Sequence, residues 1–138
     1  MTSVDTNVLA RFYVDDPEDG EATAQREVAR RLLTSGDVLF VSVTVTLELA
    51  WVVRAVYGFG IEDFARVVDH LTRLPNVVVE DRAAVLAATE LARGGLDFAD
   101  ALHVARSGHC GRFVTFDDRR LARRASRLSV VPPVELLA

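Results

Sequence analysis

The feature that most constrains this chain is an alternation: short apolar runs rich in β-branched residues return between longer stretches with helical periodicity. Val38-Leu39-Phe40-Val41 and Val77-Val78-Val79 are such runs, and Arg112-Phe113-Val114-Thr115 is a third. A strand that is apolar throughout, rather than at every second position, suits a parallel sheet covered on both faces. The stretches between the runs supply the covering helices. From Glu21 to Thr34, the residues Ala24, Val28, Ala29, Leu32 and Leu33 recur at three- and four-residue spacing before Ser35-Gly36. A second helix carries Leu47, Glu48, Leu49, Trp51, Val52 and Ala55, with Thr44 or Thr46 as its expected cap and Tyr57-Gly58 at its end. Ile61 to Leu74 is a third, stopped by Pro75. Asp81 is the expected cap of a helix to Arg93, Asp97 opens another through Arg106, and Asp117 starts a short one reaching about Ser126. Leu128 to Val131 closes the pattern before Pro132-Pro133. The expectation is one α/β domain over residues 1–138, a central parallel sheet sandwiched by helices.

Composition narrows the function classes. The 138 residues are 50% hydrophobic and 26% charged, an ordinary globular balance that needs no disulfide or structural metal. The single cysteine, Cys110, rules out an internal disulfide. Met1-Thr2-Ser3-Val4-Asp5 has a carboxylate where a secretory signal needs basic residues and then an apolar run, and no segment approaches a membrane span. The expected setting is therefore the cytoplasm. A net charge of −4 argues against a protein that holds nucleic acid by bulk basicity. Every basic residue except histidine is arginine, so chemistry that requires a lysine is excluded. Arg119, Arg120, Arg123 and Arg124 form a locally basic strip, which is either a solvated helix face or a contact for an RNA backbone.

The acids carry the chemistry. In open parallel sheets, ligands bind beyond the carboxyl ends of the strands. Asp5 directly follows Val4 at the end of the first strand, and Asp117 falls just past Val114-Thr115. Glu48 and Asp100 sit in helices so apolar that both carboxylates are expected to be buried, where an unpaired charge costs several kcal/mol. Asp97 and Asp100 are three apart, on one helix face. Each acid alone has a structural alternative: Asp97 as a cap, Glu48 as an arginine partner, Asp5 and Asp117 as turn residues. Taken together, four acids from distant segments at one strand-end crevice fit a hard cation such as Mg2+ or Mn2+. His70, His103 and His109 lack zinc-site spacing, and no glycine-rich phosphate loop or nucleophile motif is present.

These pieces resemble the PIN-domain ribonucleases, and among them the VapC-type toxins of bacterial toxin–antitoxin pairs. The matching segments are Val4-Asp5-Thr6-Asn7-Val8, Thr46-Leu47-Glu48-Leu49-Ala50-Trp51, Leu96-Asp97-Phe98-Ala99-Asp100-Ala101-Leu102 and Phe113-Val114-Thr115-Phe116-Asp117. The resemblance implies a Mg2+- or Mn2+-dependent endoribonuclease in which Asp5, Glu48, Asp100 and Asp117 form a metal-holding quartet. Asp97 resembles an accessory acid, and Thr6, Asn7 and Thr115 match polar positions that arrange the site. It further implies an RNA substrate, a cognate antitoxin and a homodimer. The lead-in before Asp5 is short for the family. Two other classes remain. Haloacid-dehalogenase-like phosphohydrolases also place an aspartate after the first strand, but they want a second aspartate where this chain has Asn7, and a lysine that it lacks. A non-catalytic binding module would keep the fold, without needing the full set of acids.

Overall fold

The computed structural model describes residues 1–138. The chain divides into two compact units, Met1–Asp81 and Arg82–Ala138. The first unit begins with β1 (Thr2–Ser3), α1 (Thr6–Tyr13) and α2 (Gly20–Leu33). It continues with β2 (Leu39–Val41), α3 (Val43–Trp51), a π-helical turn over Val52–Val56, α4 (Ile61–Arg73) and β3 (Val77–Val79). Its strands pair in the order β1-β2-β3, all parallel, with Thr2 opposite Leu39 and Leu39 opposite Val77. This is the parallel pairing that the apolar runs predict, because parallel strands require crossovers and the helices supply them.

Packing follows periodicity in most of this unit. On α4 the residues Phe64, Val67, Val68 and Leu71 are buried at three- and four-residue spacing, with Phe64 fully enclosed. Burying one such side chain contributes roughly 1.5–3 kcal/mol. Asp19 caps α2, its Oδ1 accepting the Glu21 and Ala22 amides at 3.0 and 3.1 Å. Two expectations fail here. Ala24 and Val28, expected on the inward face of α2, are both exposed, Val28 at 61%. The cap of α3 is Ser42, not Thr44 or Thr46: its Oγ accepts the Val45 amide at 3.2 Å, and the Val43 amide goes to Glu80 Oε1 at 2.8 Å. Thr46 is instead inside the helix, with its hydroxyl donating to the Ser42 carbonyl at 3.3 Å.

The second unit comprises α5 (Arg82–Arg93), α6 (Phe98–Ala105), β4 (Phe113–Thr115), a π-helical turn over Asp118–Ala122, α7 (Arg123–Ala125) and β5 (Val134–Leu136). Helices α5 and α6 pack through small residues: Ala84, Ala88 and Ala92 on one, Ala101 and Val104 on the other, are all buried. Between them lies Gly94, where a Cβ would stand 2.9 Å from Leu128 Cδ2, so any larger residue requires that side chain to shift. Strands β4 and β5 pair in parallel, Phe113 opposite Val134 and Thr115 opposite Leu136. The last strand thus lies after Pro132-Pro133, whereas Leu128 to Val131, expected to close the pattern, forms no strand. The fold is mixed α/β, with seven α-helices and parallel pairing throughout. No helix is long and apolar enough to cross a membrane.

Candidate active site

In the first unit, α1 starts directly after β1, and Asp5 is its cap. The Asp5 Oδ1 accepts the Thr6 amide at 2.8 Å. The Thr6 side chain, itself only 4% exposed, donates its hydroxyl to Glu48 Oε1 on α3. One buried threonine therefore engages both carboxylates, one through its backbone and one through its side chain, although Glu48 lies 42 residues along the chain. Asp5, Thr6, Asn7 and Glu48 line one cavity of about 240 Å3, together with Ala10, Arg11, Val52 and Tyr57.

In the second unit the acids are Asp97, Asp100 and Asp117. Asp97 occupies the cap position of α6 with extended backbone, φ −60° and ψ 138°, yet its side chain makes no capping bond. The capping role considered for it is thus positional only, and its carboxylate is left for other work. Asp100 follows on α6. Its carboxyl is pushed above the usual carboxylate range, first by burial, then by the charges of Asp97 and Asp117, with His103 pulling the other way. Asp117 caps the π-helical turn, its Oδ1 accepting the Arg120 amide at 2.9 Å. Its own amide donates to Thr115 Oγ1 at 3.0 Å, so Thr115 fixes the backbone that carries the acid.

The expected burial of the carboxylates is wrong. Glu48 is exposed and Asp100 half-buried, because α3 turns Thr46, Leu49 and Ala50 inward and leaves Glu48 on the outer side. Trp51, whose apolar bulk made that helix look enclosed, is 65% exposed. What distinguishes these acids is not depth: in the first unit Thr6 links Asp5 and Glu48, and in the second the charges of Asp97 and Asp117 act on Asp100. No three His, Cys, Asp or Glu side chains gather tightly enough to hold an ion by themselves. Mg2+ does not ask for such a cage, being ordinarily held by one or two carboxylates, waters and substrate phosphates. The donors here are all oxygens, and mutual repulsion at Asp100 is relieved by a cation, so Mg2+ or Mn2+ fits them.

Other expected residues divide. Arg119 and Arg120 are exposed, while Arg123 pairs with Asp118 at 2.7 Å and Arg124 donates to the Gly95 carbonyl at 3.0 Å. His70 packs: its Nδ1 is 2.8 Å from the Tyr13 hydroxyl and its ring stacks on Phe12. That pair lies in a larger cavity of about 900 Å3 in the first unit, whose rim carries the ion pairs Arg26–Asp15 and Arg66–Asp63 and none of the candidate acids. Two residues of the acidic cavity, Arg11 and Tyr57, escape sequence reasoning, since no motif marks them.

Residues 3–127 match the PIN domain family, a span that takes in every candidate acid. The chain belongs to that family, whose members are generally nucleases. No curated individual protein matches it.

Proposed function

We propose that this protein is a Mg2+- or Mn2+-dependent endoribonuclease, the toxin of a toxin–antitoxin pair, in which Asp5, Glu48, Asp100 and Asp117 act together in one reaction. The observation that carries the reading is Thr6, a buried residue committed to two carboxylates from distant segments, its backbone amide to Asp5 and its hydroxyl to Glu48. A merely solvated acid needs no such support. The acids of the second unit add to it, since Asp100 faces the two further negative charges of Asp97 and Asp117, with His103 opposing them.

Asp5 and Asp100 are the proposed principal cation ligands, with Glu48 and Asp117 holding the water shell and Asp97 accessory. A bound Mg2+ or Mn2+ supplies Lewis-acid polarisation of a phosphoryl group and a water of lowered pKa. The protein's own groups then have three tasks. Thr6 keeps Glu48 and Asp5 in register, Thr115 holds Asp117, and arginines counter the repulsion between the acids and a polyanionic strand. Arg119 and Arg120, exposed beside Asp117, suit that last task. Both units belong to one catalytic domain in this proposal, and a homodimer, a cognate antitoxin protein and a cytoplasmic setting complete it.

Incubation of the full chain with a mixed small-RNA pool tests the reading. Cleavage is expected with Mg2+ or Mn2+, abolished by chelation and by Asp5→Asn. Cleavage that persists in chelator, or in Asp5→Asn, contradicts it.

A further inference from the structure

Arg11 is the only cationic side chain lining the cavity that holds Asp5 and Glu48. It lies four residues beyond Asn7 on α1, so both present to the same helix face. The other arginines of the first unit that form ion pairs sit on carboxylates: Arg26 on Asp15, Arg30 and Arg31 on Glu27, Arg66 on Asp63 and Arg73 on Asp69. Arg11 does otherwise. Its Nε donates to Gln25 Oε1 at 2.8 Å and its Nη1 to the Tyr57 hydroxyl at 3.4 Å, two neutral partners. A guanidinium carries five N–H donors in a planar fork that matches a phosphate. Two of the five are spent on holding the fork still, and the rest remain for an anion, at the wall of a cavity that otherwise repels one.

Resting on the nuclease reading above, we propose that Arg11 is a substrate-binding residue that grips a backbone phosphate flanking the scissile one, with Gln25 and Tyr57 as its positioning residues. The neutral character of both partners is the point of the arrangement. A carboxylate partner would discharge the guanidinium, whereas an amide and a phenol orient it and leave its charge for the strand.

Salt dependence separates this role from a purely structural one. The full-length protein is titrated with a fluorescently labelled single-stranded RNA at increasing salt, in Ca2+. Each phosphate neutralised contributes about 0.7 to the slope of log affinity against log salt for single strands. Arg11→Gln, which keeps a polar side chain for Gln25 and Tyr57, is expected to flatten the slope by about that amount. Arg11→Lys, which keeps the charge, is expected to retain it, and so is Arg73→Ala, which removes a paired cation elsewhere on the unit. In Mg2+, Arg11→Gln is expected to raise KM about tenfold, the loss of one charge-assisted hydrogen bond, with kcat changed far less. Tyr57→Phe is expected to raise KM less and to leave the slope alone. A wild-type slope in Arg11→Gln overturns the assignment even when cleavage is intact, leaving the nuclease reading standing. Wild-type protein that binds RNA with an Arg11-dependent slope but never cleaves it supports Arg11 and contradicts the nuclease reading. Protein that does not bind RNA even at low salt overturns Arg11's role.

Discussion

The acids of the first unit are tied into the fold, while those of the second are set against one another. Asp5 and Glu48 share Thr6, whose side chain is buried, so their positions are inherited from the packing of α1 and α3. In the second unit only Asp117 is held comparably, by the Arg120 amide and Thr115: Asp97 makes no capping bond, and the Asp100 carboxyl is raised first by burial and then by the charges of Asp97 and Asp117. For the proposed carboxylate centre the difference implies a division of labour: the first unit's acids would be prearranged by hydrogen bonds and change little when a cation arrives, whereas the second unit's would hold repulsion that a cation releases.

Short of removing an acid itself, the largest effect should come from breaking the anchor. Thr6→Val keeps the shape and β-branching but removes the hydroxyl that Glu48 accepts. Cleavage is expected to fall roughly 10- to 100-fold, the usual cost of losing a group that orients a ligand. Stability should fall by only about 1 kcal/mol in denaturant titration. Wild-type activity in that variant would mean that Glu48 needs no holding. The matching change in the second unit, Thr115→Val, should cost only a few-fold in rate, because the Asp117 amide there can turn to water.

A smaller effect sharpens the other side of the contrast. A carboxyl whose pKa is raised on folding binds its proton more tightly folded than unfolded. The stability linked to Asp100 is therefore fully present below the ordinary carboxyl range and is lost as pH rises through the raised value. In cation-free buffer at neutral pH, Asp100→Asn should raise the unfolding free energy, by less than about 1 kcal/mol because solvent screens a half-buried group. The gain should vanish in acid, and Mg2+ should stabilise the wild type more than the variant. A neutral-pH loss in chelator would contradict the repulsion. Smallest of all is Trp51→Ser, expected to change stability by no more than about 0.5 kcal/mol, since the indole is 65% exposed.

Much of the fold was legible because periodicity and burial agree. Helix α4 and strand β3 fall where their patterns put them, Ile61–Arg73 and Val77–Val79. Strand β5 was not, since three residues after two prolines carry too little pattern and pairing with β4 supplies the rest. The α3 cap falls on Ser42 rather than Thr44 or Thr46, its Oγ taking the Val45 amide while Glu80, far along the chain, takes that of Val43. In the candidate site, the acids were legible as types in a spaced series. Their depth was misjudged because one exposed tryptophan made α3 look enclosed. Arg11 was illegible because its meaning lies in Gln25 and Tyr57, neutral partners that only tertiary structure brings to it.

The central claim is that acids of both units act in one reaction, and a double-mutant cycle tests it most directly. Cation-dependent RNA cleavage is measured for Asp5→Asn, Asp100→Asn and the pair combined. Residues that work as one unit are grossly non-additive. The prediction is that each single change lowers the rate about a hundredfold or more, and that the double variant is scarcely worse than either. Two independent, multiplying losses, or full activity in either single variant, would contradict the account.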